Sequence, residues 1–343
     1  MLALNLLGLA ALAIGTPVPG SIADYTQALK AKRAPFAAVT AAQLTAFQFY
    51  AQHSGAAYCN FNTPAGQPVK CGSHVCDNVN ATVISSFGGD VTGIGGYVSV
   101  DHKRKEVVLS VRGSSNIRNY ITDVVFAWAR CDLVSECKLH AGFAASWLEI
   151  RDAVYDAFDV ATTKWPGYKL VATGHSLGAA VSTIAASYLR REGYPVDIYT
   201  YGSPRVGNDH YADFVTKQDG AEFRVTHTRD PVPRLAPIVF GYRHTTPEYW
   251  LSTGDGSTTD YGVGDIKVCA GNANTDCNGG TFGLDIIAHL HYLGPTSACN
   301  GFPFQWKRDE SAALAGNGTD QELIDRLNKW SQQDQDFVKN QLQ

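Results

Sequence analysis

The tightest constraint on this chain is one uninterrupted string. Tyr168-Lys169-Leu170-Val171-Ala172-Thr173 reads as a buried β-strand and runs straight into Gly174-His175-Ser176-Leu177-Gly178. From Leu177 to Arg191, Val181, Ile184, Ala185 and Leu189 fall at helical spacing, and Gly193 is placed to end the helix. A strand, a sharp turn and a helix, with glycines flanking a serine, is what a nucleophile elbow requires. The turn forces the serine into strained backbone angles and lifts its hydroxyl clear of the sheet. Gly174 and Gly178 leave room for strand and helix to approach each other. The amide of Leu177, at the helix start, points at a developing oxyanion with the helix dipole behind it.

The rest of the body agrees with such a sheet. Gly96 to Val100, Glu106 to Val111, Val196 to Tyr201 and Glu222 to His227 read as further strands. Phe143 to Thr163 places Trp147, Ile150, Val154, Phe158 and Ala161 on one helical face. Gly96 to Val111 forms a strand pair; thereafter helices and strands alternate, which implies an α/β fold with a mostly parallel sheet covered on both faces. Ligands then belong at the carboxyl ends of the strands. With 45% apolar and 17% charged residues the chain is no disordered segment, and 28 Lys+Arg against 32 Asp+Glu leave no basic surplus for nucleic acid. No ligand cluster implies a metal or organic cofactor, and nothing after the first fifteen residues is long and apolar enough to span a bilayer.

Residues 1–15 are an apolar run ending in Ala13-Ile14-Gly15 and read as a signal peptide, a buried N-terminal helix being the alternative. Residues 16–33 close on Lys32-Arg33 and read as a propeptide. Eight cysteines without a C-x-x-C pair point to four disulfides in an oxidising compartment, and hence to secretion. Asn80-Ala81-Thr82 and Asn317-Gly318-Thr319 are glycosylation sequons. The expected organisation is a catalytic domain over 34–305 and a C-terminal extension over 306–343.

A serine hydroxyl needs a base, and in the elbow topology the partners follow in the order Ser, acid, His. Asp230, after the strand Glu222 to His227, is the leading acid; Asp209, Asp213 and Asp219 compete from a solvated stretch. His244, His289 and His291 are all candidate bases, and spacing alone does not separate them.

Taken together, Gly174-His175-Ser176-Leu177-Gly178, Tyr201-Gly202-Ser203-Pro204-Arg205-Val206-Gly207-Asn208, Asp230-Pro-Val-Pro-Arg and Ala288-His289-Leu290 resemble the secreted filamentous-fungal lipases of the class 3 family. Arg112-Gly113-Ser114 and Asn119-Tyr120 extend the likeness over residues 39 to 300. The resemblance implies an α/β-hydrolase fold, a triad of Ser176, Asp230 and His289, and an oxyanion hole made by Ser114 and Leu177. It also implies the disulfides Cys59–Cys299, Cys71–Cys76 and Cys131–Cys137, which leaves Cys269 and Cys277 for a fourth.

Where the family carries a mobile lid helix, Ile117, Tyr120 and Ile121 form an apolar stripe expected to cover Ser176. A lipid surface would take up that stripe and shift the lid open. The expectation is therefore a triacylglycerol lipase acting on lipid esters at the lipid–water interface, as a monomer. Phospholipase A1 or galactolipase activity is the alternative on the same triad. Feruloyl esterases of the family carry a more polar lid. A non-hydrolytic lipid- or carbohydrate-binding module is the rival of another class. In the extension, Thr319 and Asp320 cap a helix whose broken apolar stripe is Leu323, Leu327, Trp330, Phe337 and Val338. That helix is expected to pack on the domain exterior, with contact to the lid region or to lipid as the bolder alternative.

Overall fold

A long helix, α1 (Ala41–Asn60), opens the domain and is started by a reciprocal cap: the Gln43 amide donates to Thr40 Oγ1 at 3.2 Å, and the Thr40 amide to Gln43 Oε1 at 2.9 Å. Three strands follow, β1 (Thr82–Gly88), β2 (Gly95–Asp101) and β3 (Glu106–Val111), then a short pair, β4 (Trp128–Arg130) and β5 (Lys138–His140). The alternating part runs α2 (Ala141–Lys164), β6 (Lys169–His175), α3 (Leu177–Arg191), β7 (Val196–Tyr201), α4 (Asp209–Lys217) and β8 (Glu222–His227). It continues through β9 (Glu248–Leu251), β10 (Ile266–Cys269), α5 (Ile286–Leu290) and α6 (Thr319–Gln341). This computed structural model describes residues 38–114, 117, 121, 125–300 and 319–341, all within the unit Pro35–Gln343. The expected signal peptide and propeptide, Tyr120 and the Asn317 sequon lie outside the described residues.

Eight strands pair in the order β1-β2-β3-β6-β7-β8-β9-β10. From β3 through β9 the neighbours are parallel, with Val111 opposite Gly174 and Tyr201 opposite Val225; the two edges are antiparallel. Side chains alternate between the two faces, as a pleated strand requires. Val107, Leu109, Val111, Leu170, Ala172, Val196 and Ile198 meet Trp147, Phe158, Val181 and Ile184 of α2 and α3. Val108, Val171, Tyr199 and Tyr201 meet Phe47 and Tyr50 of α1 on the other side. The result is the three-layer α/β sheet that the alternation implies. Each sequence-derived strand lies within two residues of an observed one. Three helices of the reading are observed as α2, α3 and α6, the last beginning at Thr319.

Four disulfides staple the loops. Cys59–Cys299 ties the end of α1 to the segment after α5, Cys71–Cys76 and Cys131–Cys137 close small loops, and Cys269–Cys277 joins β10 to the turn beyond it. Asn80 stands exposed just before β1. Among the described residues, no helix is long and apolar enough to cross a membrane.

Candidate active site

The strand β6 stops at His175 and α3 begins at Leu177, so Ser176 alone makes the turn, at φ 60° and ψ −131°. Its amide donates to the Tyr201 carbonyl at 2.9 Å, and its carbonyl accepts the Ala179 amide at 3.0 Å. Such angles cost a residue with a Cβ of the order of 1–3 kcal/mol, and the packed strand and helix on either side hold them in place. Glycine at 178 is required because a side chain there would run into the Val111 carbonyl and Arg112. That close approach brings the Arg112-Gly113-Ser114 loop against the elbow: a Cβ on Gly113 would lie 2.9 Å from the Ser176 Cβ. Ser114, half-buried, and the first-turn amide of Leu177 therefore flank the serine.

Asp230 sits in the turn beyond β8 and is fully buried. Its Oδ1 accepts the Val232 amide at 2.9 Å, and its Oδ2 accepts the Tyr292 hydroxyl at 2.5 Å. Asn278 holds the turn from below, its side-chain amide donating to the carbonyls of Thr228 at 3.2 Å and Asp230 at 3.0 Å. Cys277 of the Cys269–Cys277 bridge adjoins this asparagine in sequence.

His289 is carried on α5, a single turn whose Ala288 amide is capped by the Asp285 carboxylate at 3.0 Å. Its Nδ1 lies 3.0 and 2.9 Å from the two Asp230 oxygens. Facing a carboxylate, Nδ1 carries the proton, which leaves a lone pair on Nε2. Among the described residues, neither that Nε2 nor Ser176 Oγ has a hydrogen-bond partner, although both are buried. The other candidates are occupied elsewhere. His291 donates from Nδ1 to the Ile287 carbonyl at 2.9 Å, and His244 from Nε2 to the Pro233 carbonyl at 2.7 Å. Asp213 accepts from Asn272, while Asp209 is a half-buried residue at the start of α4. Asp219 follows α4 on the surface.

Two tyrosines and the elbow histidine escape the sequence reading. His175 is fully enclosed and tilts against the His289 ring at 4.5 Å between centroids. Its Nε2 donates to the His289 carbonyl at 2.8 Å, so its Nδ1 accepts the Tyr58 hydroxyl at 2.9 Å. Burial, and next the neighbouring His289, push its pKa well below the usual 6.5, so it stays neutral in this tautomer. The Tyr58 oxygen also receives a hydrogen bond from the Gly113 backbone. One chain of hydrogen bonds thus links the Gly113 loop, α1, the elbow and the backbone of the candidate base. Burial and then Asp230 raise the Tyr292 phenol well above 10, so it remains a donor to the carboxylate. Neither tyrosine stands in a pattern that a linear reading picks out; each matters through a contact between distant segments.

Ile117 and Ile121 are both buried, in a cluster with Val232, Leu235, Ile286 and Leu290 that borders the Asp230 turn and α5. The same cluster includes Leu323 and Leu327 of α6.

Comparison with known proteins places this architecture. A family described as Lipase (class 3) matches residues 108–240. The chain is 52% identical over 342 residues to the secreted mono- and diacylglycerol lipase 1 of Fusarium solani, covering 99% of both chains. It is 38% identical to the secreted mono- and diacylglycerol lipase A of Penicillium cyclopium over 79% of this chain and 91% of that one. Among solved structures, a mono- and diacylglycerol lipase from Aspergillus oryzae superposes with a TM-score of 0.72 at 36% identity, covering 76% of this chain and 99% of the other. Sequence and superposition agree, and the chain belongs to the class 3 lipases, secreted hydrolases of the α/β-hydrolase fold.

Proposed function

We propose that the protein hydrolyses acylglycerol esters through Ser176, His289 and Asp230. The observation that carries this reading is the buried pair of unpartnered atoms, Ser176 Oγ and His289 Nε2, with the far side of the imidazole fixed on Asp230. Hydrogen bonds between nucleophile and base often tighten only when substrate binds. Ser176 attacks the ester carbonyl while His289 Nε2 takes its proton, and Asp230 steadies the imidazolium that forms. The amides of Leu177 and Ser114, with the Ser114 hydroxyl, receive the oxyanion of the tetrahedral intermediate. His289 then protonates the departing alcohol. Water, deprotonated by the same imidazole, releases the fatty acid and restores the serine.

Ile117 and Ile121, with Tyr120, act in this reading as a lid whose apolar stripe moves onto a lipid surface. Sequence reading alone points to triacylglycerols as substrate; the names of the Fusarium and Penicillium relatives favour mono- and diacylglycerols. We take partial glycerides as the preferred class. The test is a panel of mono-, di- and triacylglycerol, phospholipid, galactolipid and feruloyl esters assayed with the native chain and with Ser176→Ala. The native chain is expected to be most active on the partial glycerides. Ser176→Ala is expected to fold normally, lose ester hydrolysis and escape labelling by an organophosphonate. Substantial residual turnover by that variant would remove Ser176 as nucleophile.

A further inference from the structure

The C-terminal helix α6 has a buried seam that changes character halfway along. Its first half contributes Leu323 and Leu327, 5% and 2% exposed, to the cluster that holds Ile117, Ile121, Val232, Leu235, Ile286 and Leu290. Its second half is anchored by polar contacts. Asn328 Oδ1 accepts the Gly283 amide at 2.7 Å, and Ser331 Oγ accepts from Arg234 Nη1 at 3.0 Å. Asp334 accepts the Val239 amide at 3.1 Å and pairs with Arg205 Nη1 at 3.2 Å, both side chains being almost wholly buried. The anchors grip Arg205, after β7, residues 234–239, beyond Asp230, and Gly283, ahead of α5.

The two halves differ in what would release them. A buried ion pair and directed hydrogen bonds are lost at full cost when one partner leaves. Apolar contacts lose nothing if another apolar phase receives them. Ile117 and Ile121 are buried in the same cluster as the leucines of α6, so lifting the two isoleucines out of it breaks up the apolar packing that Leu323 and Leu327 share. Beside this cluster, Val125, Trp128 and Phe240 are exposed apolar residues, 72%, 37% and 46% accessible. Phe126 joins this rim to α6, lying 5.7 Å from Phe240 and 5.3 Å from the Trp330 ring. The helix carries five acidic and three basic residues, which offers no basic face to anionic lipid.

We propose that α6 is a latch on the active-site cover: its Leu323–Leu327 half holds Ile117 and Ile121 down, and it lifts onto a neutral acylglycerol surface while the Asn328–Asp334 half stays seated. This rests on the functional reading above and adds a regulatory element to it. In solution the latched form excludes monomeric esters. At an acylglycerol surface the two leucines and the Val125, Trp128 and Phe240 rim enter the lipid together, while Trp330 stays with the seated half.

Two measurements on the full chain test this. The first compares native protein with Leu323→Ser/Leu327→Ser on dissolved p-nitrophenyl butyrate and on emulsified diacylglycerol. The variant is expected to hydrolyse the dissolved ester about tenfold faster, because a buried leucine contact shifts a two-state equilibrium by at least that factor, while its rate on the emulsion does not rise with it, the serines no longer entering the lipid. A folded variant with an unchanged or lower rate on the dissolved ester overturns the latch. The second measurement needs no variant: amide hydrogen exchange of native protein with and without a diacylglycerol emulsion. Residues 319–327 are expected to lose protection at the surface while 328–341 keep theirs. Uniform loosening, or none, overturns the proposal even where the double variant does not fold. The exchange result does not depend on catalysis, so it separates failure of the latch from failure of the triad reading, which the organophosphonate label reports.

Discussion

Acid should unfold this protein through its buried histidines, and His53 is the one on which to measure it. The residue is fully enclosed beneath the sheet, with Nδ1 3.0 Å from the Tyr97 hydroxyl and Nε2 among the buried atoms without a partner. Burial, and next the positive Arg104, lower its pKa from 6.5 to about 3. The folded state therefore holds the neutral ring, whereas the unfolded chain takes up a proton as pH falls through 6.5. Stability is fully present above that value and is lost progressively down to the folded value of about 3. At 1.36 kcal/mol per unit, His53 alone removes about 3 kcal/mol between pH 7 and pH 4. That is a large share of a typical domain's stability of about 5–15 kcal/mol. His140, lowered by burial to about 4, acts in the same direction. The assay is urea unfolding at pH 7, 6, 5 and 4 for native protein and His53→Gln. The glutamine does not titrate, so the variant's loss across this range should be smaller than native by about 3 kcal/mol. Parallel curves, or a His53 ring that titrates near 6.5 in the folded protein, would refute the reasoning.

Two further outcomes follow from contacts around the site. Tyr292→Phe takes one donor from the Asp230 carboxylate; a hydrogen bond to a charged group contributes about 1.5–3 kcal/mol, so kcat should fall about tenfold with KM unchanged. An unaltered kcat would show that the Val232 amide alone suffices to hold the acid. Removing Cys59–Cys299, whose ends are 240 residues apart, should lower unfolding free energy by about 5 kcal/mol, against about 2 for Cys71–Cys76 with a separation of 5. Denaturation of the two double-serine variants measures the difference, and equal losses would contradict the loop-entropy account.

What the sequence made legible was periodic or local. β6, the elbow and α3 were readable because strand, turn and helix are contiguous, and Leu177–Arg191 matched the observed helix to the residue. The helix α1 was not readable, because Phe47, Phe49, Ala51, His53, Gly55 and Ala56 are buried around much of its circumference and leave no single stripe. The strands β9 and β10 are four residues each, too short to establish an alternation. Spacing left three histidines open as the base; the observed geometry shows His289 on Asp230, with His244 and His291 spent on backbone carbonyls. In α6 the apolar pattern identified Leu323 and Leu327 but passed over Ser331 and Asp334, whose burial depends on arginines from distant loops.

The hydrogen-bonded line from Gly113 through Tyr58 and His175 to the His289 carbonyl has an implication for how such an enzyme diversifies. Four separate stretches of chain are fastened together behind the reacting groups, so the catalytic frame resists piecemeal adjustment. Variation in substrate range is consequently free to accumulate in the covering helices and their aromatic border, where exchanging one side chain leaves the chemistry untouched.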